Sequence, residues 1–256
     1  MTPADLAAIL CGGLVGLVLA LVGGGGSILA TPLLIYVVGV SSPHVAIGTS
    51  AMAVAVNAFA NLIAHARAGN VKWPCAATFG GSGVLGALIG AAIGKQMHPA
   101  ILLPLFALLM ISIALTMLHP NAKEGDPDAH LTPKMAPRLI GAGLAVGFMS
   151  GFFGIGGGFL IVPGLMLSSG MAMLNAVASS LFSVGAFGAA TAVSYALDGM
   201  VDWRVAALFI TGGIIGGLIG APLSKKLATQ RGLLRRSFAI LVLLVAIYIL
   251  YRSWAG

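Results

Sequence analysis

The chain has 256 residues, of which 59% are apolar and only 7% charged, and its mean hydropathy is +1.07. Soluble domains carry charge on about a quarter of their residues, so this composition excludes that class and marks an integral membrane protein. The net charge of +7 comes from basic residues scattered through short loops, where they act as orientation signals and not as a nucleic-acid surface.

The first apolar segment, Leu6 to Val22, has no basic flank before it, and so it reads as a structural helix and not as a signal peptide. A glycine break follows, Gly23 to Ser27 (GGGGS), then a short arm from Ile28 to Gly39. Three long apolar helices complete this part of the chain: His44 to Ala66, Trp73 to Gly94 and Ala100 to Leu118. Each is close to the 17 to 25 residues needed to cross about 30 Å of hydrocarbon, whereas the arm is too short and suits a re-entrant or half-helix.

The segment Asn121 to Lys134 mixes Pro, Gly and both charge signs, the composition of an exposed loop. After it the pattern repeats: an apolar helix, a second break at Gly154 to Gly158 (GIGGG), an arm Phe159 to Ser168, and helices Leu174 to Leu197, Trp203 to Leu223 and Leu233 to Tyr251. Shifting the sequence by 130 or 131 residues places Pro32 on Pro163, Thr49 and Ser50 on Ser179 and Ser180, Gly69 and Trp73 on Gly199 and Trp203, and Gly86 and Gly90 on Gly216 and Gly220. The chain is therefore read as a first membrane repeat (1–120), a polar linker (121–134) and a second membrane repeat (135–256).

The fold expected is an all-α polytopic membrane protein of two repeats, each a glycine-broken hairpin plus three spanning helices, with eight full-length spans or about ten segments counting the short arms. If each arm returns to its starting side, the repeats are inverted. Ten Lys and Arg then fall inside against three outside (Lys95, Arg204 and Arg252), whereas parallel repeats give six against seven. Cytoplasmic loops carry the basic excess, which favours inversion.

Irregular backbone at membrane depth must line a cavity or be buried in protein, and paired breaks in two halves point to a transport site. Gly24, Gly25, Gly26 and Ser27 in the first copy, and Gly156, Gly157 and Gly158 in the second, are candidate anion ligands through free N–H groups at the starts of the arms. Thr49, Ser50, Asn57 and Asn61, with Ser179 and Ser180, add polar side chains inside apolar helices. The glycines Gly12, Gly16, Gly86, Gly90, Gly94, Gly143, Gly147, Gly216 and Gly220 are read instead as close-packing positions between helices.

No Asp or Glu lies well inside a span, which argues against a buried carboxylate proton relay. Cys11 and Cys75 lack metal-site spacing, and no metal or cofactor is expected. The run Gly80-Gly81-Ser82-Gly83 matches the pattern around a rhomboid protease serine, but no histidine is placed to act as its base, so catalysis is not expected. A membrane subunit of a larger transport or assembly complex is the alternative to an independent transporter.

The glycine break before a proline in each half, the Gly-x-Val-x-Trp motifs at Gly69–Trp73 and Gly199–Trp203, and the small-residue runs after them resemble the TauE/SafE family of sulfite exporters. The resemblance covers residues 5 to 252 and implies a multi-pass protein of the bacterial cytoplasmic (inner) membrane that exports sulfite, sulfoacetate or related organic anions. The partners it implies are the small anion and the lipid bilayer; a homodimer is left open.

Overall fold

A computed structural model describes residues 2–118, 126, 131–154, 158–226 and 231–255. The described chain is mostly helical, in the order α1 (Pro3–Val22), a 3-10 stretch (Gly23–Leu29), α2 (Ala30–Leu33), a π turn (Leu34–Val38), α3 (Pro43–Arg67), α4 (Trp73–Gly94), α5 (Pro99–Leu118), α6 (Ala136–Phe153), α7 (Gly158–Ser169), α8 (Met173–Leu197), α9 (Trp203–Lys226) and α10 (Arg231–Ala255). Among the described residues six helices, α1, α3, α4, α6, α8 and α9, are long and apolar enough to cross a membrane, while the apolar cores of α5 and α10 are shorter, at Ala100–Leu115 and Ala239–Arg252.

The ends of these helices follow local chemistry. Proline stands in the first turn of α3, α4 and α6, where its missing N–H would be unpaired in any case. The helices α3 and α8 both stop at a glycine in the left-handed region, Gly69 (φ 72°) and Gly199 (φ 68°), a conformation that side chains with a Cβ resist. The matched Gly-x-Val-x-Trp motifs are thus the same turn made twice, a left-handed glycine followed four residues later by a new helix.

Two expectations are refined. The first break does not unwind: Gly23–Leu29 is 3-10 helix, so the first arm begins at Gly23 and not near Ile28, and it is drawn out by a π turn before Gly39 (φ 87°) ends it. The second arm runs Gly158–Ser169, one residue longer at each end than expected, and Ile155 to Gly157 lie outside the described residues.

The principal pairings join the two halves: α1 with α9, α4 with α6, α3 with α8, and α5 with α10. Directions follow from the residues that meet. Gly12 lies against Phe209 and Gly16 against Gly213, so α1 and α9 run the same way; Gly86 lies against Leu144 and Gly94 against Phe152, so α4 and α6 do too. In contrast, Gly48 meets Tyr195 while Gly185 meets Phe59, so α3 and α8 are antiparallel. Asp5 pairs with Arg204 across α1 and α9 at 2.8 Å, and Lys95 with Asp198 across α4 and α8, both at the end opposite Arg67 and Lys72.

Apolar helices gain little from meeting one another in lipid, so close van der Waals approach must supply the association. The glycines do this: a Cβ at Gly12, Gly16, Gly86, Gly90, Gly94, Gly147 or Gly216 would run into backbone atoms of the facing helix, and one at Gly143 would strike Phe79 and Ser82. For these positions the packing role expected from the sequence is what the structure shows. Gly220 is looser, facing the Ala20 Cβ at 2.7 Å. In α3 and α8, 72% of the apolar window is buried, against 39% to 50% in the other four long spans. These two helices form the centre, and the leucines and isoleucines exposed on α4, α9 and α10 form the lipid-facing surface.

Candidate functional site

The first break packs against both α7 and α8, so the two arms meet beside the central helix pair. Gly26 folds back onto α1, where a Cβ would stand 2.6 Å from the Leu19 nitrogen; only glycine permits that reversal. Ser27 is fully buried next to it. Each arm carries a proline, Pro32 and Pro163, which removes one donor and frees the carbonyl four residues before it.

The first arm, the central helix α3 and the end of α6 come together at Ser50. Its hydroxyl lies 2.8 Å from Thr31 Oγ1 on the first arm, 3.0 Å from the Ile47 carbonyl and 3.5 Å from the carbonyl of Gly154, where the second break begins. Ser50 has one proton, so it cannot donate to Thr31, Ile47 and Gly154 at once, and in the Ser50–Thr31 pair either hydroxyl can be the donor. Thr31 was not among the residues singled out from sequence; its signal was a hydroxyl immediately before the proline of the arm.

Thr49 and Ser179 are matched positions, but the structure places them apart. Thr49 Oγ1 accepts the Asp202 N–H at 2.9 Å and Ser179 Oγ accepts the Lys72 N–H at 3.0 Å, at opposite ends of the bundle. Each satisfies the backbone just before a helix of the other half, which is a clasp between halves. Thr49→Val and Ser179→Ala are each expected to cost about 1 kcal/mol, the worth of one hydrogen bond, read as lowered thermal stability in detergent. Ser180 donates to the Val177 carbonyl at 2.8 Å within its own helix.

Asn57 and Asn61 share a face of α3 that abuts Gly213 and Gly217 of α9. The Asn61 amide donates to the Asn57 carbonyl at 2.8 Å. The Asn57 side chain is fully buried with neither its oxygen nor its nitrogen paired, a costly state inside a membrane protein. Gly24 and Gly25 fall in the 3-10 stretch, Gly158 opens α7, and Gly156 and Gly157 lie outside the described residues.

Ser82 lies against its own helix, its hydroxyl within 3.0 Å of the Thr78 carbonyl and 3.1 Å of Phe79's. Among the described residues no three His, Cys, Asp or Glu gather as a metal site. A groove of about 440 Å³ between α5 and α6 is lined by Leu105, Leu108, Phe148 and Phe152; its apolar wall does not suit an anion.

These features define a multi-pass α-helical membrane protein of the transporter class. The family model for the sulfite exporter TauE/SafE matches residues 8–249, and the chain belongs to that family. It is 51% identical over 246 residues to a probable membrane transporter protein of Xylella fastidiosa (strain Temecula1), covering 96% of this chain and 94% of the relative. It is also 30% identical to a probable membrane transporter protein of Bacillus subtilis (strain 168), covering 87% of this chain and 89% of that one. No solved structure matches the chain.

Proposed function

We propose that the protein is a secondary transporter that exports small sulfur-containing or organic anions, such as sulfite, sulfoacetate or related sulfonates, across the bacterial cytoplasmic membrane. The observation that carries this reading is the packing of the first glycine break against α7 and α8 beside the buried hydroxyls of Ser27, Thr31 and Ser50. Backbone N–H groups and hydroxyls are donors without formal charge, and they can hold an oxyanion that has shed its water. The family's name supports a sulfite-like substrate.

Two inverted copies are the topology proposed. Its support is directional: α1, α3 and α9 run one way and α4, α6 and α8 the other, so each helix opposes its counterpart in the second copy. Arg67, Lys72, Lys134 and Arg138 gather at the end taken as cytoplasmic, in keeping with the basic excess of cytoplasmic loops. Alternating access then arises from movement of the halves about the arms where they meet.

The driving force proposed is the anion gradient with the membrane potential, which favours anion exit by about 2.3 kcal/mol per charge per 100 mV. Purified chain in proteoliposomes should release sulfite or sulfoacetate faster when the interior is negative. Flux that needs a pH gradient and ignores voltage would sink the uniport reading, and the absence of flux with every such anion would sink the function. Transport by the purified chain alone excludes an obligatory partner subunit.

A further inference from the structure

Most of the described hydroxyls find a partner. Thr78, Ser82, Ser112, Ser168, Ser169, Ser180 and Thr211 give their protons to carbonyls three or four residues back, the usual resting place of a hydroxyl inside a helix. Four described hydroxyls are 0% exposed and have no hydrogen-bond partner: Ser150 on α6, and Ser183, Thr191 and Tyr195, which all lie on α8.

The three on α8 belong to one ridge. Ser179, Ser183, Phe187, Thr191 and Tyr195 recur every fourth residue, the row a helix offers to a neighbour crossing it at an angle. The neighbour is α4 at Ser179, Ser183 and Phe187, while Tyr195 lies between α4 and Gly48 of α3. Lys72 N–H meets Ser179, a Cβ at Gly80 would stand 3.4 Å from Ser183 Oγ, Phe79 stacks on Phe187, and the Lys95 ammonium sits 5.9 Å from the centre of the Tyr195 ring. The seam thus starts at the basic end of the molecule and finishes at a lysine, which is held by the Ser194 carbonyl at 3.0 Å and by Asp198.

A buried hydroxyl without a partner costs stability, and replacing it with an apolar group of the same shape is neutral or stabilising. We propose that Ser183, Thr191 and Tyr195 form a ladder of hydrogen-bond donors for a small oxyanion, engaged when α4 and α8 part. Lys95 then supplies the positive charge at the far end, with the anion displacing Asp198 from it. The ladder rests on the proposed anion transport and extends it, because it puts part of the path in the α4–α8 seam and not only where the arms meet.

Two measurements test the ladder in the full chain. In the first, Ser183→Ala, Thr191→Val and the pair are purified. Their thermal stability should equal or exceed that of the wild type, while voltage-driven sulfite flux falls by about tenfold or more, equivalent to one lost hydrogen bond to a charged group. Lowered stability, or stability and flux both unchanged, overturns the proposal. In the second, Ser183→Cys and Thr191→Cys are made in a Cys11→Ala, Cys75→Ala background and exposed in membranes to a charged, impermeant methanethiosulfonate. Both should react, whereas Ala246→Cys, buried on α10, should not. No reaction at 183 and 191 overturns the ladder. This labelling needs no substrate, so a wild type that moves no anion removes the function proposed above, and the labelling still decides whether the seam opens to water.

Discussion

Gly16→Leu and Gly147→Leu are each expected to abolish recovery of folded protein, read as loss of the monodisperse peak in detergent chromatography. The two positions lie at close approaches of α1 to α9 and of α6 to α4, where an added Cβ meets the facing carbonyls of Gly213 and Gly83. Overpacking by a few methylenes inside a tolerant core costs about 1–3 kcal/mol. Here the obstacle is backbone, which cannot swing aside as a rotamer can, so the helices must separate and lose their whole packed face. Gly81 and Gly141 supply the control. Nothing lies within 4 Å of a Cβ at either, so Gly81→Ala and Gly141→Ala should raise stability by about 0.5–1 kcal/mol through helix propensity. Equal loss at all four positions would refute packing as the cause.

Ser50→Ala should cut anion flux by at least about tenfold, a barrier increase of roughly 1.4 kcal/mol, while lowering stability by only about 1–2 kcal/mol. Ser50 is where the first arm, the central helix α3 and the start of the second break come together, through Thr31, Ile47 and Gly154. Its loss removes the hydrogen bond that ties Thr31 of the first arm to α3. Thr31→Val should reproduce the defect, since it removes the same bond from the other side. Ser50→Thr keeps the hydroxyl and should retain more flux than Ser50→Ala; wild-type flux in Ser50→Ala would remove Ser50 from the mechanism.

Much of this architecture was legible in the residues. Length and apolarity give the helices nearly to the residue, as at Trp73–Gly94, because proline and glycine punctuate the ends. The packing glycines were readable too, since small residues at intervals of about four on an apolar helix have little other use. The conformation of Gly23–Leu29 was not readable: four glycines permit an unwound strand or a tight 3-10 turn equally, and the choice is made by α1, onto which Gly26 folds. Thr49 and Ser179 show a second limit. Their repetition marked them as a pair, but only tertiary structure reveals that each spends its oxygen on the backbone of the opposite half. In the sequence Ser183 and Thr191 are only hydroxyls in an apolar helix; that they lack partners is decided by tertiary packing.

The exchange of partners between halves has a consequence for biosynthesis. The glycine face of α1 is completed by α9 and that of α4 by α6, so a nascent first half enters the bilayer with its two tightest grooves empty. The α4 groove is filled once α6 is made, but that of α1 waits for α9, and early termination yields an unfilled fragment and not a smaller version of the fold. Once complete, the chain is interlaced, so cutting the linker between residues 121 and 134 should leave two fragments that stay together and are purified as one particle.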